Sequence, residues 1–178
     1  LVGAPEQIVS GVTDAGAVYA INRDEGGSEL WGEEATLIAS DRALNDQFGS
    51  AISLDVVGSE AWAAIGAPNA DLAGGLTRAG AVYLFHRDSL ATWAEIVKLV
   101  ASDASSLAEF GSSVGIADGV AVIGAPFDGA TTGAVYVFEQ DSVDPNLWVE
   151  TQKLLAPDGE SGDEFGISAA IDGGRIAI

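Results

Sequence analysis

Cysteine is absent from this 178-residue sequence, which excludes disulfides and thiolate metal sites and leaves redox compartment unreadable. Methionine is absent too, even at position 1, and the chain starts inside a recurring motif. It is therefore expected to be a segment of something longer, in which the lack of a signal peptide says nothing about secretion. Positive charge is scarce: seven Lys and Arg face 27 Asp and Glu, the formal net charge is −20, and the only lysines are Lys98 and Lys153. Such a surface repels nucleic acid and anionic membranes, so neither is an expected partner, and it suits solubility at high salt. No apolar run approaches the roughly 20 residues that a membrane helix needs. Nor are there amphipathic runs long enough for helical repeats.

Catalytic signals are thin. The single histidine, His86, ends an apolar run beside Arg87 and Asp88, with nothing like a nucleophile elbow nearby. It is expected to be an ordinary edge-strand residue. Paired carboxylates such as Glu33 and Glu34 are too common in this composition to indicate acid–base work. Phosphate-binding glycine loops, zinc motifs and Asn-x-Ser/Thr acceptors are missing.

What is present is repetition. Phe48 Gly49 is followed by Gly66 Ala67 Pro68 and then Gly80 Ala81 Val82 Tyr83. The order returns as Phe110 Gly111, Gly124 Ala125 Pro126 and Gly133 Ala134 Val135 Tyr136. Phe165 Gly166 opens a third copy, whose complement stands at the other terminus as Gly3 Ala4 Pro5 and Gly16 Ala17 Val18 Tyr19. From Trp31, Trp93 and Trp148 the next Phe lies 17 residues on; between them recur Leu37, Leu99 and Leu154, and Asp41, Asp103 and Asp158. Each unit holds four apolar runs of strand length, such as Ser50–Leu54, Ala61–Ile65, Ala81–Phe85 and Glu95–Val100. Turn signals separate them: Gly58 Ser59, Asp118 Gly119 and Asp172 Gly173, with Asp128 Gly129 after a Gly-Ala-Pro. Ala81–Phe85 is apolar on both alternating faces, so it needs cover on both sides. A four-stranded meander sandwiched between copies of itself is a β-propeller blade, and the expected fold is all-β. The chain reads as one segment, 1–178, with repeats about 1–47 plus 165–178, 48–109 and 110–164.

These residues resemble the FG-GAP repeats of the integrin alpha N-terminal propeller, and more closely the bacterial FG-GAP proteins that lack its calcium loop. The resemblance covers the whole chain. Phe is expected to fill the core between blades, Gly to permit close backbone approach, and Pro to end the second strand where no ladder donor is needed. Each recurring Trp is expected to bury about 150–250 Å². Integrin-like blades carry Asp-x-Asp-x-Asp-Gly between their first two strands, whereas the corresponding turns here hold only Asp55 with Glu60, Asp118 and Asp172. Calcium wants six to eight oxygens, so no cofactor is expected at those turns. A denser group, Asp158, Glu160, Asp163 and Glu164, is the remaining candidate for a weak Ca²⁺ site.

The resemblance implies a non-enzymatic interaction module at the cell surface or outside the cell, with a protein or glycan as ligand. A propeller hydrolase or lyase with a central-channel site is the alternative from another class, and a purely architectural segment is a third. In a meander, the loops from strand two to three and from strand four to the next blade share a rim, the face that integrin-like propellers use for ligands. The candidate ligand residues there are Asp14, Asp41, Asn69, Asp71, Arg78, Asp103, Phe127, Asp128 and Asp158. Both rims are acidic, which favours general solubility over a focused charge. Propellers need about four to eight blades, so three repeats need completion, by a second copy closing six blades or by flanking sequence.

Overall fold

The run Ala81–Phe85 is buried on both faces, as its sequence requires. In the computed structural model, which describes residues 1–178 apart from the Ala130 side chain, it lies inside β6 (Ala81–Arg87), the third strand of an antiparallel sheet. That sheet is completed by β4 (Ala51–Val57), β5 (Glu60–Ala67) and β7 (Trp93–Leu99), in the order β4-β5-β6-β7. A second full meander comprises β8 (Ser113–Ala117), β9 (Val120–Ala125), β10 (Ala134–Gln140) and β11 (Trp148–Leu154). Partial sheets flank these two. Before them come β1 (Val2–Ala4), β2 (Ala17–Arg23) and β3 (Trp31–Leu37); after them comes the hairpin β12 (Ala170–Asp172) and β13 (Arg175–Ala177). These are β-propeller blades in an all-β chain, and the ring they form is open. The one departure is a turn of helix, α1 (Asp128–Thr131), where Asp128 Gly129 read as a turn.

The core lies between sheets. Phe48 sits edge-on to Tyr83 and Phe85 at 5.5 and 6.0 Å, and Phe110 repeats this against Tyr136 and Phe138 at 5.4 and 6.1 Å. Each blade therefore buries its Phe against the tyrosine strand of its own sheet and the residues facing it from the sheet before. The last two strands share a bulge at one place in the three larger sheets, between Ala20 and Ile21, Leu84 and Phe85, and Val137 and Phe138.

Backbone-to-backbone clasps join neighbouring blades. The Phe48, Phe110 and Phe165 N–H groups donate to the carbonyls of Ala15, Ala79 and Thr132 at 3.1, 3.0 and 2.9 Å, each reaching back to the preceding sheet. Gly16, Gly80 and Gly133, all at φ near +86°, leave no room for a side chain, because a Cβ would run into the Phe48, Phe110 or Phe165 carbonyl. Gly3, Gly66 and Gly124 are pressed in the same way by the carbonyls of Gly49, Gly111 and Gly166. The three motifs are thus parts of one clasp, repeated at each junction.

Two expectations are corrected. His86 is not on an edge strand: β6 is paired on both sides, with Trp62 and Ala94 opposite His86, because the meander adds β7 outside it. The tryptophans are not equally buried. Trp148 is 6% exposed and lies tilted against Trp62 of the preceding sheet, 5.6 Å between ring centroids, whereas Trp31 is 70% exposed because no sheet covers that face of β3 among the described residues.

Candidate functional site

Both lysines of the chain stand at one position of the repeat, five residues after Trp, and both serve the junctions between blades. Asp41 accepts the Tyr83 hydroxyl at 2.6 Å and Lys98 Nζ at 2.7 Å. Asp103 accepts Tyr136 at 2.7 Å and Lys153 at 2.6 Å, and each ammonium lies over its tyrosine ring. Beside these struts, Ser40 gives its N–H and hydroxyl to Glu95, and Ser102 gives the same pair to Glu150, all at 2.8 Å. Burial and the Asp41 carboxylate push the Tyr83 hydroxyl pKa up; burial and Asp103 do the same at Tyr136, against the opposing pull of Lys153. Sequence reading placed Asp41 and Asp103 on the ligand rim and did not see their partners, although Asp, Tyr and Lys recur at fixed spacings. What was missing was which sheet face meets which.

The Lys153 hydrogen bond, with that of Tyr136, holds the Asp103 carboxyl below the usual carboxylate range against the opposing effect of burial. Its pKa is lower folded than unfolded, so its contribution is fully present above the unfolded value of about 4 and disappears as pH falls through the folded one. Replacing Asp103 with Asn should therefore lower stability at pH 7 by about 1 kcal/mol, given solvent screening of a half-exposed carboxylate. The loss should fade as pH falls below that unfolded value in urea melts run across pH; a loss that stays the same from neutral to strongly acid pH contradicts the strut.

Asp128 is buried, pairs with Lys153 at 2.7 Å and lies 3.4 Å from the Ser105 hydroxyl, so its carboxylate faces the junction. Four of the other rim residues come together. Arg78 donates from Nε to Asn69 Oδ1 at 3.2 Å and pairs with Glu109, while its backbone N–H goes to Asp71 Oδ1 at 2.8 Å. Asn69 in turn donates to Gln47 Oε1 at 2.8 Å. Arg78 forms the ridge between two clefts on this rim. One, about 470 Å³, runs along Ser105, Ser106, Leu107, Phe127 and Thr131. The other, about 390 Å³, is lined by Leu44, Asn45, Gln47, Asn69 and Asp71. Asp14 and Asp158 stand apart, at the positions held by Arg78 and by Asp103 in the other repeats.

Several rim residues have left-handed backbone, including Arg78 (φ 48°), Leu107 (φ 66°) and Glu109 (φ 54°). The same conformation recurs at Asp14, Asn45 and Gln47. Gln47 N–H donates to Asp14 O at 3.0 Å and Glu109 N–H to Arg78 O at 3.1 Å, so the strained turns are how each junction joins its two loops. The strain belongs to the fold.

Among the described residues, no group of three or more His, Cys, Asp or Glu side chains gathers as a metal ligand set. In the stretch from Asp158 to Glu164, Asp163 accepts the Glu160 backbone N–H at 2.7 Å. His86 lies on the opposite rim, 4.6 Å from Trp62 ring to ring and 3.3 Å from Glu60. No serine or threonine hydroxyl hydrogen-bonds to it among the described residues.

The FG-GAP repeat family matches residues 31–85, 93–138 and 148–178. The chain belongs to that family. Each full match runs from the last strand of one sheet through three strands of the next, so an FG-GAP repeat spans a junction and holds the Asp and Tyr of a strut, whereas the strut lysine and the two halves of the clasp fall in neighbouring matches. FG-GAP repeats are generally protein-interaction modules, typically non-enzymatic and found in extracellular or surface proteins. No curated protein matches the sequence. No helix among the described residues is long and apolar enough to cross a membrane.

Proposed function

We propose that this FG-GAP chain is a non-enzymatic binding module, acting at the cell surface or outside the cell, that takes a protein or glycan ligand on the rim beside Arg78. The observation that carries the reading is the convergence of Asn69, Asp71, Arg78 and Phe127 on two adjoining clefts of one rim. Exposed Leu44 and Leu107 and half-buried Phe127 supply apolar contact, and the amides of Asn45, Gln47 and Asn69 supply neutral hydrogen-bonding groups. Asp41, Asp103 and Asp128 support the rim from below, and Asp14 and Asp158 extend it along neighbouring blades. In this reading binding does not depend on calcium, so chelation should leave it unchanged. Self-association of the chain through apolar sheet faces is part of the same reading.

The test is binding of the whole chain to a printed glycan array and to immobilised extracellular matrix proteins. For whichever probe binds, Arg78→Ala and Phe127→Ala should each weaken affinity about 10-fold or more, equivalent to about 1.4 kcal/mol. Leu90→Ala, at an exposed turn on the opposite rim, should change nothing. Loss with the Leu90 variant alone would place binding elsewhere.

A further inference from the structure

The strained turns of the rim belong to every junction, but the residues placed in them differ. Asp14, Arg78 and Thr131 each stand two residues before the first glycine of a Gly-Ala-Val-Tyr strand, and all are left-handed, at φ 51°, 48° and 74°. Asp suits that conformation, whereas Arg and β-branched Thr do not. Both unfavoured residues line the 470 Å³ cleft, and Arg78 borders the 390 Å³ cleft as well. The Arg78 guanidinium is paired with Glu109 and bonded to Asn69, and its backbone N–H is held by Asp71, so the ridge between the clefts is fixed and its charge is met.

What is left open on either side is neutral. In the smaller cleft, the Asn45 amide and Gln47 Nε2 have no hydrogen-bond partner among the described residues, while Gln47 Oε1 accepts Asn69. In the larger, Ser106 Oγ accepts the Thr77 N–H at 3.2 Å and keeps its own proton to donate, beside exposed Leu107 and half-buried Phe127. Amides and hydroxyls both donate and accept, as the hydroxyls of a sugar do, so the two sets complement each other. Leu107 and Phe127 give an apolar wall for the C–H face of a sugar ring.

We propose that this rim takes an uncharged oligosaccharide, with one ring in each cleft and the glycosidic link crossing Arg78. The inference rests on the rim-binding reading above and narrows its ligand. Both cleft volumes fall in the range of small-ligand sites. A protein partner would seat an apolar or aromatic anchor at the centre of its footprint, whereas the centre here is a paired, half-exposed guanidinium. Acidic sugars are disfavoured by Asp71, Glu109 and the net charge of −20.

The test is calorimetric titration of the whole chain with neutral hexose and N-acetylhexosamine glycans, from monosaccharide to tetrasaccharide. Affinity should rise about 10-fold or more from monosaccharide to disaccharide, as the second cleft fills, and then level off. Gln47→Glu places there the residue that Glu109 and Glu164 supply in the other repeats, so the chain should stay folded and keep its acceptor for Asn69 while losing the Nε2 donor. It should weaken disaccharide binding about 10-fold, and Phe127→Ala should do the same. Equal affinity for monosaccharide and disaccharide overturns the two-cleft placement, and tighter binding of a uronic-acid oligosaccharide overturns the uncharged class. Glycan binding that neither variant weakens overturns the site. If no oligosaccharide binds but a matrix protein does, and Arg78→Ala and Phe127→Ala weaken it, this inference falls and the rim-binding reading stands; if neither kind of probe depends on the rim, both fall.

Discussion

Gly66→Ala should destabilise the protein by about 3 kcal/mol, although it adds a single methyl group and the glycine has no left-handed backbone to lose. The methyl has nowhere to go: its position lies deep inside van der Waals contact with the Gly111 carbonyl, and that neighbour is backbone held by the Gly111 N–H bond to Gly124 O at 2.9 Å. Either β5 or the Phe110–Gly111 turn must move, and moving the turn loosens the Phe110 N–H bond to Ala79. Gly58→Ala is the comparison. Gly58 is at φ 65° with nothing near its Cβ, so that change should cost about 1 kcal/mol of backbone strain. Urea midpoints at constant m-value would measure both. Equal losses at the two sites would show that the clasp has slack and that close approach is not why glycine stands at Gly66.

Phe110→Ala should cost about 3–5 kcal/mol, the range for emptying a closed aromatic site. The ring is 1% exposed, edge-on to Tyr136 and Phe138, within the cluster that joins the two complete sheets. Phe165→Ala should cost no more than about 2 kcal/mol, because its ring is only half-buried where the last sheet is a two-stranded hairpin. The same motif residue should thus have a graded effect set by the completeness of its blade. Urea midpoints of the two variants at constant m-value would measure the grading, and equal losses would contradict it.

Much of this was legible in the sequence. Four runs per repeat became four strands, Gly58 Ser59, Asp118 Gly119 and Asp172 Gly173 became the first turn of each meander, and the two-faced apolar run of Ala81–Phe85 became a central strand. Part of the rim was legible too, because loop connectivity in a meander brings Asn69, Asp71, Arg78 and Phe127 to one side. The environments of Asp128, His86 and Trp31 were not. Asp128 is drawn in by Lys153, which is 25 residues away in sequence, and His86 and Trp31 depend on strands and sheets whose presence no local pattern reports.

The strand pattern, the turn positions and the repeat follow from the chain alone, because alternation and turn chemistry act between residues close in sequence. Junctions between blades are another matter. Which carboxylate meets Tyr83 and why Gly66 tolerates no methyl depend on how one sheet rests on the next. Those contacts join residues roughly one repeat apart. They exist only once stacking has set the distance between sheets, and stacking is driven by non-directional burial of apolar faces that many sequences share.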